Sequence, residues 1–485
     1  MSTQINFNSP KNLLWSETSQ GKIFALFCIV ATCLLYNSWL ITGHLFFYFD
    51  DWNWLELAQF SPWSTYFHVL PDMIYNDRPV GGLFIKIIYQ IFFLNHTAFS
   101  ISFLALHTIN CIFLYAIGSR YISRVGALLA AMLAATWLSS LTSLTWSAAV
   151  FDVLGATLCL AAIFVRQLSV KRNGSFALDV LGALIFALSI RTKEFSLGNI
   201  AVILLINLLA DRQKFRDAVR QLAPYLVVFI VYFIRYAYLE AHKPLDSANP
   251  YSLNLNPISI AGNFQFYLST LFYSNLFGQL WTISITALIL TGLAFSTKKS
   301  INLFLIGLFG FAAMLGPTLL LPKHRDELYL YAPHFFMALA IGATYSRNRI
   351  SKITAIAVCI AIFAMPVLAG RYHDIVNYYE TLALKNTTQL SSAQRALGPV
   401  EKGTRVFITG TTPVFNPFSY GPGSSLRVVY RDSTISVVES PSVDTMKNAF
   451  CNSREPKRAL QFNDQTGIDI TSEMLSFCDN QTKEK

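Results

Sequence analysis

The sequence predicts an all-α polytopic membrane protein of about 11 transmembrane helices, followed by a small C-terminal α/β domain. Three observations predict it. Of 485 residues, 53% are hydrophobic and only 13% charged, against roughly a quarter charged in a soluble domain, and the mean hydropathy is +0.44. Apolar runs long enough to cross a bilayer, roughly 17 to 25 residues each, recur from Gly21 to Gly370 and then stop. Lys and Arg punctuate those runs instead of pooling, so the net charge of +10 speaks for membrane orientation and against nucleic acid.

Basic loops stay on the cytoplasmic side, which gives each run a direction. The first, Lys22 to Leu45, follows Lys11 and Lys22 and leaves the cytoplasm; with a polar Met1 to Gln20 and no small-residue cleavage site, it reads as a retained anchor. The loop 44–96 is then external, and its apolar piece Gly82 to Leu94 is short enough to lie in the interface. Phe99–Gly118, Val125–Leu138 and Trp146–Val165 cross in turn, landing Arg120, Arg124, Arg166, Lys171 and Arg172 inside. Ala177–Ile190 exits to Arg191-Thr192-Lys193-Glu194, Phe195–Ala210 returns, and Leu222–Leu239 exits to a loop broken by Pro244, Pro250 and Pro257. Phe272–Phe295 returns, Leu303–Leu321 exits to Pro322-Lys323-His324-Arg325-Asp326-Glu327, Tyr329–Tyr345 returns, and Ile353–Ala369 exits last.

Residues 1–370 thus form the membrane module, and 371–485 an external domain, periplasmic in a bacterium. Helical pieces near Asn377–Leu397 precede β-like runs at Arg405–Thr409, Leu426–Tyr430 and Ser433–Glu439. Cys28, Cys33, Cys111, Cys159 and Cys359 fall in apolar runs and read as packing. Cys451 and Cys478, alone in the external block, are expected to bridge.

Phe46-Phe47-Tyr48-Phe49-Asp50-Asp51-Trp52-Asn53-Trp54 is the most informative stretch. Aromatic residues gather at membrane interfaces, whereas carboxylates there are costly and mark function. Helix capping by the two aspartates is the bland alternative. Further along the external side come Asp77-Arg78-Pro79-Val80, Lys193-Glu194 and His324-Arg325-Asp326. Basic residues on the wrong side of the membrane, each beside an acid, suit an anionic ligand better than topology. An acid pair facing cations at a lipid boundary suits attack by a sugar hydroxyl on an anomeric carbon with a lipid phosphate leaving. A carboxylate takes the proton, Arg and Lys grip the phosphate, and single displacement inverts the centre.

The order of these motifs, Phe49-Asp50-Asp51-Trp52, Asp77-Arg78-Pro79-Val80, Arg191-Thr192-Lys193-Glu194 and Arg325-Asp326-Glu327-Leu328-Tyr329-Leu330-Tyr331, resembles the GT-C superfamily of integral-membrane glycosyltransferases that use polyprenyl-phosphate sugars. The likeness is greatest to bacterial enzymes that glucosylate lipopolysaccharide O-antigen, less to protein O-mannosyltransferases, and it covers residues 1 to about 370. It implies that Asp50 or Asp51 is the catalytic base, that Arg78, Lys193 and Arg325 contact phosphate or sugar, and that Glu194 orients Lys193 or binds sugar hydroxyls. Apart from the resemblance, His324 is a candidate to protonate or hydrogen-bond the leaving phosphate, with a purely structural role as the alternative. The late motif departs from relatives that set Arg directly before Tyr-Leu.

The expected activity is therefore transfer of a hexose, glucose foremost, from polyprenyl (undecaprenyl) phosphate to O-antigen polysaccharide on the periplasmic side of a bacterial inner membrane, with no metal or cofactor. The competing class is a transporter or flippase of a lipid-linked or anionic solute. It has Asp152 and Arg235 as the main ionisable residues within runs, and no halved symmetry to support it.

Overall fold

The computed structural model describes residues 19–68, 78–172, 174–241, 252–411, 416–419, 421 and 423–483. Lys11, Asp77, Pro244 and Pro250, used above, lie outside them.

The first apolar run does not fold as one helix. It forms α1 (Ser19–Tyr36) and a single turn α2 (Trp39–Thr42), because buried Asn37 turns its side chain back onto the Cys33 carbonyl at 3.0 Å. The external loop holds α3 (Asp51–Phe60) and α4 (Pro79–Phe92), the latter opened by Pro79 at its first position, where a missing N–H costs nothing. Then come α5 (His96–Ser119), α6 (Arg124–Thr136), the short α7 (Ser140–Thr145), α8 (Val150–Lys171), α9 (Phe176–Ile190), α10 (Asn199–Leu205), α11 (Phe215–Ala241), α12 (Pro257–Leu271), α13 (Ser274–Ala294), α14 (Lys298–Leu315), α15 (Tyr331–Ala343) and α16 (Arg349–Leu368).

Among the described residues seven helices are long and apolar enough to cross a membrane, and shorter apolar helices, α4, α6 and α9 included, accompany them. The chain is a multi-pass membrane protein. At its centre α15 is buried along its whole length, packed by α14, α6, α8 and α5, as expected of a helix apolar on every side. Outward-facing side chains such as Phe27, Leu35, Ile234 and Leu280 are exposed in the way lipid-facing residues must be.

A long helix α17 (Arg371–Leu397) leads into the C-terminal domain: β1 (Arg405–Thr409), α18 (Ser424–Tyr430), β2 (Ser436–Ser440), α19 (Val443–Asn452), β3 (Lys457–Asn463), β4 (Thr466–Asp469) and α20 (Thr471–Lys483). The sheet runs β2-β1-β3-β4, with β1 parallel to β2 and β3, and β4 antiparallel to β3. Leu426–Tyr430 is a helix and not the expected strand. Its Val-Val pair favours a pleated surface, but Ser424, Leu426 and Val428 are buried together while Arg427 reaches out to α3, and such packing overrides β propensity. Cys451 and Cys478 are joined in a disulfide with Cα atoms 5.4 Å apart, within the usual range.

Candidate active site

Asp50 and Asp51 are adjacent at the start of α3 but differ in every physical respect. Asp51 is 1% exposed, and its two oxygens accept backbone hydrogen bonds from Ala148 at 2.7 Å and Tyr48 at 3.1 Å. It ties the external loop to the turn that starts α8, with both oxygens engaged. Burial, then the neighbouring Asp50 charge, pushes its carboxyl well above the ordinary range.

Asp50 occupies the N-cap position of α3, with its carbonyl accepting from Asn53 and Trp54, yet its side chain makes no cap hydrogen bond. That sets aside the capping alternative for this carboxylate. Its Oδ1 is buried without a hydrogen-bond partner, and the Trp146 indole approaches without completing one. Burial raises its pKa to about 6, partly offset by the charges of Lys193 and Arg78, which lie close enough to act on it. The preceding Phe49 has φ 59°, a left-handed backbone that a bulky residue holds only under constraint and that recurs at functional sites.

The cations arrive from two other segments. Lys193, between α9 and α10, is 5% exposed; its Nζ lies 3.1 Å from Asp152 Oδ2 in the first turn of α8 and 5.3 Å from the centre of the Tyr329 ring. Gly155, one turn further along α8, makes this approach possible, since a Cβ there would fall 3.3 Å from Lys193 Cβ. Arg78, just before α4, donates from Nη2 to Glu194 Oε1 at 2.6 Å and lies over the Phe151 ring. Although burial weakens its charged form, the Glu194 and Asp152 carboxylates hold its pKa above the ordinary value. Gly81 admits Phe151 to the α4 surface, where a Cβ would stand 2.2 Å from the ring.

Asp50, Arg78, Lys193 and Glu194 are thus brought together. His324 joins at the edge: its ring packs against Tyr329 at 5.7 Å, and burial, then the Lys193 charge, keeps it more neutral than a free histidine despite Asp326. Arg325 is turned elsewhere, with Nε donating to Asn263 Oδ1 on α12 at 2.7 Å and its guanidinium over Phe266. Asp326 caps Leu328.

Two residues of the site gain a place that the sequence does not give them. A crossing that begins at Trp146 puts Asp152 in its interior; the break at Ser147–Ala149 moves the start of α8 to Val150. An Asp near a Trp-Ser boundary was the available signal. Tyr329 lay within a quoted motif without a role, and Glu327, raised to about 7 by burial and Asp326, lies beside Tyr379 and Arg371 instead of with the cations. Elsewhere Cys33, Cys111 and His107, read as packing or not at all, cluster with ligating atoms within 4.8 Å. His107 Nδ1 is 2.9 Å from the Tyr331 hydroxyl, which also accepts from Asn110, so this buried group is hydrogen-bonded as it stands.

A family model described as "Dolichyl-phosphate-mannose-protein mannosyltransferase" matches residues 76–237, the segment that carries Arg78, Asp152, Lys193 and Glu194. In three dimensions the chain is similar to ArnT from Cupriavidus metallidurans bound to undecaprenyl phosphate: TM-score 0.55, 12% identity, 92% of this chain and 94% of that one covered. The apo state of the same protein matches with a TM-score of 0.52, 12% identity and the same coverage. No curated protein is significantly similar to the chain in sequence.

Proposed function

From a chain with the GT-C fold and an acid held open beside two cations, we propose an inverting glycosyltransferase that takes its sugar from a polyprenyl phosphate. Asp50 is the base. An acceptor hydroxyl attacks the anomeric carbon as Asp50 takes its proton, and the bond from that carbon to the phosphate oxygen breaks with its electron pair leaving on the lipid phosphate. Lys193 and Arg78 neutralise that phosphate, with Asp152 and Glu194 holding the two cations in place between turnovers. Asp51 supports the loop and does no chemistry.

The single observation that carries this reading is the asymmetry of the aspartates: Asp51 is engaged at both oxygens by backbone donors, while Asp50 keeps a buried oxygen without a partner in the field of Lys193 and Arg78. The motif order further supports a hexose, glucose foremost, as the transferred sugar and O-antigen polysaccharide as the acceptor, on the periplasmic face of a bacterial inner membrane with the N-terminus in the cytoplasm. The transporter reading loses ground on Asp152, which sits in the first turn of α8 in an ion pair with Lys193 and not in mid-span.

The deciding assay follows transfer from polyprenyl-phosphate hexose by the purified protein in lipid nanodiscs. Asp50→Asn should lower kcat by about 100- to 10,000-fold, the ordinary contribution of a positioned base. Unaltered turnover by a folded Asp50→Asn protein would refute the assignment.

A further inference from the structure

Resting on the transferase reading, we propose that the cleft at the far end of α3 is a second saccharide site, which binds the acceptor glycan several sugars away from the hydroxyl that reacts. The cleft has a volume of about 380 Å³ and is lined by Gln59, Tyr89, Gln90, Phe93 and Arg431. Four of these come from the membrane module and one from the C-terminal domain, so the site exists only where the two meet.

The lining chemistry is that of carbohydrate recognition. Two primary amides and a phenol offer donors and acceptors to vicinal hydroxyls, and a guanidinium seated over a phenyl ring offers a directional cation. Tyr89 already donates to Gln59 Oε1 at 2.6 Å, which leaves the Gln59 amide N–H groups aimed by a buried neighbour. Gln90 is exposed, with Nε2 3.5 Å from the Ala58 carbonyl. Below them Lys86 holds the end of α3 by donating to the Ala58 and Ser61 carbonyls at 2.8 and 2.7 Å, so the floor of the cleft is fixed.

Backbone strain points to the same spot. Arg431 stands over the Phe93 ring at 4.7 Å, and both residues hold positive φ, 55° and 54°. Arg431 takes the left-handed position that ends α18, where glycine is the usual residue. A long side chain kept at such a site, facing an aromatic ring kept at another, is worth its strain when the side chains do something. Gln59 lies nine residues beyond Asp50 on α3, about 13 Å along the helix axis, a separation that a short oligosaccharide spans.

Arg431→Gly is the test, because glycine relieves the left-handed strain and so removes the side chain without endangering the fold. Transfer is measured for the wild type, Arg431→Gly and Gln59→Ala with acceptor O-polysaccharide cut to one repeat unit and to several. The expected result is a melting temperature no lower than wild type for Arg431→Gly and, for both variants, a KM for the long acceptor raised at least fivefold relative to that for the short one. KM values that move together for both acceptors, or that do not move, would overturn the site. If the wild type transfers to neither acceptor, the transferase reading fails by itself. The cleft is then judged by calorimetric titration of the long oligosaccharide, where equal binding by wild type and Arg431→Gly counts against it.

Discussion

Helix α8 carries a buried ion pair towards each end, one with Asp179 on α9 and one with Lys193 just beyond α9, and what surrounds the two pairs differs. At one, Arg166 meets Asp179 at 3.2 Å with side chains 2% and 9% exposed. Asn207 and Gln221, brought in from α10's continuation and α11, accept from the guanidinium's Nη2. At the other, about 21 Å along the axis at 1.5 Å per residue between positions 166 and 152, Lys193 pairs with Asp152. A second pair, Arg78–Glu194, stands at 35% and 38% exposure, and a third carboxylate, Asp50, is left without a cation of its own. Neutral amides join the first cluster. The second is mostly charge, with Tyr329 and His324 beside its cations. A buried ion pair held by amides is a fastening; the same chemistry with an unmatched acid and a partly accessible Arg78 is able to take a ligand.

The comparison is tested hardest at its extremes. Beyond its loss of turnover, Asp50→Asn should melt higher than wild type at pH 7. The folded pKa of about 6 lies above the ordinary 3.8, so the folded state holds this proton more tightly than the unfolded chain does. The resulting destabilisation is absent below pH 3.8, grows between the two values and is complete above 6. Activity runs the other way. A base must be ionised, so the wild-type rate should climb as pH rises to about 6 and level off above it. A rate independent of pH from 5 to 8 would mean that Asp50 is not the titrating base.

Arg166→Leu probes the Arg166–Asp179 end. Leaving Asp179 buried without its cation should cost about 3–5 kcal/mol, read as a large drop in thermal stability in nanodiscs, while kcat per folded molecule stays within twofold of wild type. A selective loss of turnover instead would make both ends functional and dissolve the contrast. Asp51→Asn comes next. An amide cannot accept from both Tyr48 and Ala148, since its NH2 would face a backbone N–H, and the conflict should cost about 1–3 kcal/mol with the melting temperature falling accordingly. Stability equal to wild type would show that Asp51 is not the fastening described.

Much of this contrast was legible in the sequence, for reasons that differ from residue to residue. Asp50, Arg78, Lys193 and Glu194 stood out because charge at the end of an apolar run is rare and needs a cause. Choosing between Asp50 and Asp51 was beyond reach, since the choice depends on which backbone N–H groups the loop presents, and those belong to Tyr48 and to Ala148, 97 residues further on. Asp152 was hidden by hydropathy, which blurs a helix start over several residues of Trp-Ser-Ala-Ala. Arg325 was drawn to the site by its place in a motif, and only Asn263, 62 residues earlier, reveals where it goes. In the C-terminal domain, α18 was concealed by β-branched residues whose neighbours lie on α3.

That docking supplies the mildest perturbation. Arg427 on α18 meets Glu56 on α3 at 2.6 Å, with side chains 16% and 21% exposed, and Ser424 donates to Asn53 Oδ1 at 2.8 Å one turn nearer to Asp50. In burial the pair lies between Arg166–Asp179 and Arg78–Glu194, and it is expected to act in between: too accessible to hold the fold alone, too well placed on α3 to be idle. Arg427→Ala should cost about 1 kcal/mol of stability, and because Arg427 Nε also holds the Ile435 carbonyl at 2.6 Å, part of that loss belongs to the domain itself. Glu56→Gln separates the two contributions, leaving the Ile435 contact intact while weakening the charge across the interface. If the C-terminal domain steadies the helix that carries Asp50, Glu56→Gln lowers kcat several-fold with the donor KM unchanged. If it only covers the membrane module, kcat is untouched and the melting temperature alone moves.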